Sequence, residues 1–242
     1  MNALGAFLPL AQTTIEDGGQ AVQLLILIGA LSLIPALLFT VTGFTRILIV
    51  LGFVRTGLGT PTAPPNQVLV GIALFLTLFV MGPTMTQVKD DAIDPLLANE
   101  ISVETAFERA EEPMREFMFR QTRDRDLALF VKMADLPRPE TRGDVPTRVL
   151  IPAFILSELK TAFQIGFLIF LPFLVIDLVV SATLMTMGMI MLPPVFISLP
   201  FKILLFVLVD GWALITQSLV ESFALWVPIR RSISAPRRLR SR

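Results

Sequence analysis

Long apolar blocks alternate with polar ones along this chain of 242 residues. No charged residue lies between Asp17 and Arg46, and none lies between Arg55 and Lys89. Residues 87–148 then hold ten Lys/Arg and fourteen Asp/Glu, more than half of all the charges present. Beyond Lys160 the charges thin to Asp177, Lys202, Asp210 and Glu221, until the last fourteen residues bring six arginines and no acid. The order is an apolar block, a polar block, a second apolar block and a basic tail.

A bilayer core of about 30 Å is crossed by roughly 20 mostly apolar helical residues. Lipid offers the backbone no hydrogen bonds, so a long apolar run satisfies its own peptide groups as a helix. Four such helices are predicted. They span residues 22–41 (with Pro35 inside), 67–86, 161–184 (interrupted by Pro172 and Asp177) and 194–225 (punctuated by Pro200, Lys202 and Asp210). The runs are continuous rather than alternating, which argues against a β-barrel. In the polar block, Val103, Phe107, Ala110, Met114, Phe117 and Met118 recur at three- and four-residue spacing, the mark of an amphipathic helix. Pro113 is expected to split that helix in two. Asp124 is a plausible N-cap for a further short helix ending near Met133, and residues 136–146, rich in Pro and Gly, read as a loop. The fold class is therefore all-α: hydrophobic helical hairpins of a membrane protein with a polar helical middle segment. The chain divides into an N-terminal segment 1–21, a first hairpin 22–86, a polar amphipathic segment 87–148, a second hairpin 149–227 and an Arg-rich tail 228–242. Residues 3–10 are apolar, but the run is short and follows no Lys or Arg, so it makes a poor signal peptide.

Composition sharpens the membrane reading. Hydrophobic residues make up 54% and charged residues 17%, against about 25% charge in soluble domains, and mean hydropathy is +0.73. Cysteine, histidine and tyrosine are absent. That removes disulfides, thiol chemistry, the Ser-His triad and nearly every zinc or haem site. Lys/Arg and Asp/Glu number 20 each, so no overall basic excess points to nucleic acid. No Walker loop, HExxH or GxSxG motif is present, and nothing reads as an enzyme.

Four stretches carry possible chemistry. Residues 57–67, with Pro61, Pro64, Pro65 and a potential cap in Asn66, form a stiff turn between the first two hydrophobic helices. Asp177, Lys202 and Asp210 lie inside apolar runs, where a charge must face protein or water and find a partner. Lys202 and Asp210 are two helical turns apart, and Asp177 can pair with Lys202 across the hairpin. A proton or ion relay and a structural ion pair that fixes helix packing both fit these three. Met185, Met187, Met189 and Met191 alternate around Gly188 before Pro193 and Pro194, a pattern of an interrupted, loop-like backbone. Soft, unbranched methionines there either fill gaps in a core or seal a pore that deforms around a passing chain. The basic tail reads as a cytoplasmic or headgroup-binding segment. The positive-inside rule places it on the same side as the Arg46/Arg55 connector, which four complete spans would forbid, so not every apolar helix crosses lipid.

Several segments together resemble a known family. Residues 42–50 (TGFTRILIV) and 58–67 (LGTPTAPPNQ), then 115–123 (REFMFRQTR), 157–167 (SELKTAFQIGF) and 199–212 (LPFKILLFVLVDGW), match in order motifs of the FliP family of flagellar type III export proteins. The likeness covers roughly residues 20 to 226. It implies a homopentamer assembled with FliQ-like and FliR-like membrane subunits into an oligomeric helical pore. Such a pore lies in the bacterial inner membrane at the centre of the flagellar basal body, and unfolded flagellar subunits pass through it. It implies no cofactor, no metal and no catalytic residue. It places a pore gasket at Met187, Met189, Ile190 and Met191, where Ile190 departs from the family's usual methionine. Glu158, Lys160, Asp177, Lys202 and Asp210 are expected as buried charges that serve helix packing or subunit contacts. The alternative is a small-solute or ion transporter with discontinuous helices. The chain lacks the paired interrupted segments of two matching halves, which disfavours it.

Overall fold

The computed structural model describes residues 28, 29, 32, 39–137, 139–189 and 191–224. Most of the predicted helix 22–41, the N-terminal segment 1–21, Ile190 and the Arg-rich tail lie outside the described residues. Every regular element among those described is a helix. The helices are α1 (Phe44–Leu58), α2 (Asn66–Val88), α3 (Asp94–Leu97), α4 (Val103–Gln121), α5 (Asp124–Met133), α6 (Thr147–Thr186), α7 (Pro194–Leu208) and α8 (Gly211–Ala224). A π-helical stretch, Lys89–Ile93, joins α2 to α3.

α1 was not expected, because Arg46 ends the apolar run before it. Its apolar residues nevertheless recur at helical spacing: Phe44, Ile47, Leu51, Val54 and Leu58 are all buried. α1 packs chiefly against α6. Gly166 and Gly57 make that approach close: a methyl on Gly166 would sit 2.4 Å from the Phe53 ring, and one on Gly57 2.6 Å from the Phe173 ring. Gly59 closes α1 in the left-handed region at φ 76°, which a side chain disfavours. Phe117 and Met118 of α4, Leu150 and Phe154 of α6, and Leu219 and Phe223 of α8 complete the core around α1.

The expected breaks at Pro113, Pro172 and Asp177 do not occur. α4 runs through Pro113. α6 runs through Pro172 and Asp177, and through Pro152 before them, as one helix of 40 residues rather than starting near residue 161. Each interior proline removes one backbone hydrogen bond, at about 3 kcal/mol. Pro113 is itself buried, as are Phe117, Met118 and Phe119 one to two turns on, and their burial offsets that loss. A different break does occur. The predicted helix 194–225 bends by 64° between α7 and α8, at Asp210 with φ 50°.

Two helices, Asn66–Leu97 and Thr147–Thr186, are long and apolar enough to cross a membrane, and the bent α7–α8 pair makes a third if it counts as one span. At 1.5 Å per residue the 40 residues of α6 measure about 60 Å, twice the hydrocarbon thickness. So α6 reaches well beyond any bilayer that it crosses.

Candidate functional site: buried ion pairs and an exposed methionine turn

The α1 helix carries Arg46 into the centre of the core, where it is 1% exposed. Its guanidinium uses its fork of donors on three other helices. Nε donates to Glu158 Oε2 at 2.9 Å, and NH2 donates to Glu158 Oε1 on α6. NH2 also donates to Gln121 Oε1 on α4 at 3.0 Å, and NH1 donates to Ser222 O and Oγ on α8 at 3.1 Å each. The cation also stacks 3.9 Å over the Phe223 ring. Gln121 Nε2 in turn donates to Phe223 O at 3.3 Å. A buried pair is tolerable only when its remaining hydrogen-bonding groups are satisfied. Among the described residues no buried side-chain polar atom lacks a partner.

A second network holds α5 to α6. Asp126 accepts from Ser157 Oγ at 2.8 Å and from Lys160 Nζ. Burial by itself would push the Asp126 carboxyl up. The hydrogen bonds from Lys160 and Ser157 and the charges of Lys160 and Arg123 outweigh it and hold the carboxyl below its ordinary range. Arg123, beside it, reaches Thr161 Oγ1 at 2.8 Å and Gln164 Oε1 at 2.7 Å. Asp124, expected as the cap of α5, is instead its first residue; Arg123 stands at the cap position and supplies no side-chain bond. Lys160 differs from the expectation of a buried charge. Its side chain is 46% exposed, because a long aliphatic stem lets the ammonium meet buried Asp126 from the surface.

The third pair lies in the second hairpin. Lys202 Nζ donates to Asp177 Oδ2 at 2.6 Å, and Ser198 Oγ donates to Asp177 Oδ1. Lys202 is buried and Asp177 is half-buried. The ammonium also lies near Gly59, at the negative dipole end of α1. Asp210 does not join them. The bend takes it off the face that carries Lys202, and in the single chain it is exposed.

Beyond this pair the hairpin closes in a turn. Met187 ends α6, and Gly188 follows at φ 75°. The N–H of Met189 donates to Leu184 O at 2.9 Å and that of Gly188 to Met185 O at 3.1 Å, the paired bonds of a Schellman cap. Pro193 caps α7, with Pro194 at its first position. The methionines of this turn point away from the core: Met191 is 97% exposed, and Met185, Met187 and Met189 are exposed as well. Ile190 lies outside the described residues. In the first hairpin turn, Pro61, Pro65 and Asn66 are exposed and Pro64 half-buried. Pro65, not Asn66, stands at the cap of α2, and Asn66 Oδ1 instead accepts from Arg55 NH1, tying the two ends of the turn together.

Residues 27–219 match the family model described as the FliP family. The chain belongs to the FliP family. The flagellar biosynthetic protein FliP of Bacillus subtilis (strain 168) is 57% identical over 208 residues, covering 86% of this chain and 94% of that protein. FliP of Pectobacterium carotovorum subsp. carotovorum is 57% identical over 213 residues, covering 86% of this chain and 83% of its own length. FliP of Aquifex aeolicus (strain VF5) is 48% identical over 205 residues, covering 84% and 86% respectively. The FliP match includes all three ion pairs and the methionine turn, and it stops before the basic tail.

Arg46, Gln121 and Asp126 do not figure among the site residues read from sequence. Arg46 and Asp126 sit in segments whose neighbours are apolar on one helical face. That periodicity, with a charge on the buried side, was the available signal. Gln121 had none, since its partner lies 75 positions away in the chain.

Proposed function

We propose that this chain is the pore-forming subunit of a flagellar type III protein export gate, passing unfolded flagellar subunits across the bacterial inner membrane at the centre of the basal body. It acts as an oligomer, a homopentamer joined by FliQ-like and FliR-like membrane subunits, with no cofactor and no catalytic step. Family membership and the long apolar helices support the setting. The observation that carries the pore reading is the methionine turn. Long, flexible apolar side chains stand exposed at the tip of a hairpin whose stem is pinned by Lys202 and Asp177. Side chains of this kind seal against one another when copies converge, and they deform around an unfolded chain of any sequence. The exposed Phe75, Leu78 and Phe79 of α2 and Phe167, Leu168 and Val175 of α6 give each copy apolar faces for lipid or for neighbouring subunits.

The transporter alternative requires Asp177, Lys202 and Asp210 to act together in coupling. The first two are consumed in one pair, and Asp210 is turned away from them. The test is the double variant Met189→Ala/Met191→Ala in the assembled gate. The gasket reading expects the resting channel to leak ions, measured as conductance or as loss of membrane potential. Unchanged permeability at normal assembly levels would overturn the gasket role.

A further inference from the structure

The α4 helix presents one face that nothing in the described structure covers. Glu104, Glu108, Glu112 and Glu116 follow one another at four-residue spacing, so they form a continuous stripe. Glu116 pairs with Arg120 at 3.0 Å. Glu104, Glu108 and Glu112 have no ion-pair or hydrogen-bond partner among the described residues. The stripe borders a groove of about 590 Å³ between α4 and the loop before α6, where Phe119 and Val145 add apolar lining. Two cations stand there. Arg115 is already committed to Val145 O at 2.8 Å and to Thr147, and Arg142 lies 5.9 Å over Phe119.

The chain itself carries the complementary segment. The last fourteen residues hold six arginines and no acid, and they lie beyond the matched residues 27–219. The described chain ends at α8, whose last turn is fastened to the C-terminal end of α4. The Phe117 and Phe223 rings stack at 6.4 Å, and Gln121 bonds Phe223 O. From there the eighteen residues 225–242 span up to about 60 Å when extended. The 19 residues of α4 are only about 28 Å long, and half the helix circumference adds less than 20 Å.

We propose that the arginine-rich tail docks in cis on the glutamate face of α4, strapping the polar segment to the end of α8. Arginine suits this role, since its planar fork pairs with carboxylates two-pronged.

The absence of native cysteine makes a clean test possible. Spin labels at Gly143→Cys, in the groove wall, and Ser234→Cys, in the tail, are placed in the full chain within its purified complex, in neutral-lipid nanodiscs. The expected result is a single narrow label separation under about 25 Å, short of the ~35 Å that the ten residues 225–234 can span from the end of α8. It should broaden in about 1 M salt, where the screening length falls to ~3 Å. It should broaden equally in Glu108→Gln/Glu112→Gln/Glu116→Gln and in Arg237→Gln/Arg238→Gln/Arg240→Gln, neither of which touches the core. Diluting labelled copies with unlabelled ones should leave the distance unchanged. Three results would overturn the proposal: a broad distribution insensitive to the glutamates, a short distance lost on dilution (a neighbouring copy's tail), or one that appears only with anionic lipid (headgroup binding).

Discussion

Replacing Arg46 by methionine keeps most of the side-chain volume and removes the charge. Glu158, 1% exposed, then loses the cation bonded to it, and Gln121 and Ser222 each lose a donor. Removing one partner of a buried pair costs about 3–5 kcal/mol, because the other charge stays buried without compensation. The contact over Phe223 adds about 0.5–2 kcal/mol. The Arg46→Met variant should therefore lose about 4–6 kcal/mol, a large share of the ~5–15 kcal/mol typical of a folded protein. Glu158→Gln should lose less, since an amide oxygen still accepts from the guanidinium. The double variant Arg46→Met/Glu158→Met should be more stable than Arg46→Met alone, because no lone charge remains. The assay is equilibrium unfolding in mixed micelles, followed by Trp212, whose ring meets Phe206 edge-on at 5.2 Å. A cost below about 1 kcal/mol for Arg46→Met, the range of an exposed pair, would refute the reasoning. A double variant no more stable than Arg46→Met alone would refute it too.

Gly166→Val should loosen the α1–α6 contact by about 1–3 kcal/mol through overpacking against the Phe53 ring, read as a lower unfolding midpoint, with Phe53→Ala giving partial rescue. Asp126 titrates in the folded state below its ordinary value of 3.8, so its stabilising contribution is fully present above that pH and is lost as pH falls below it. Unfolding midpoints measured between about pH 5 and 2 should thus fall more steeply for the native chain than for Asp126→Asn. Lys202→Gln should weaken assembly or raise resting leak, and the exchange Asp177→Lys/Lys202→Asp should restore part of the loss where either single exchange does not. Ser102 caps α4 by accepting from the Thr105 N–H, so Ser102→Ala should cost about 1 kcal/mol, seen as faster amide exchange in the first turn of α4.

Legibility in the sequence followed the range of the interaction. The amphipathic α4 and the apolar α2 and α6 are local patterns, and they were readable as such. The helix boundaries were not. A proline reads locally as a stop at residue 113, yet burial of that face holds the helix continuous. A charge reads locally as the end of an apolar run at Arg46, yet Arg46 points inward from the first turn of α1 to a carboxylate 112 positions away. Asp177 and Lys202 were close enough in sequence for their pairing to be considered from helix geometry alone. A straight helix puts Asp210 on the Lys202 face, and the bend at φ 50° takes it off that face. The methionine turn was legible because Gly188 and two consecutive prolines mark an interrupted backbone in any context.

The central claim is that this chain is one of several copies lining a protein-export pore. Native mass spectrometry of the tagged chain, gently extracted from its own membranes, tests that most directly. The account predicts a complex with five copies of this chain holding two other kinds of small hydrophobic subunit. A monomer or simple dimer without partners, under conditions that keep other membrane complexes intact, would contradict it.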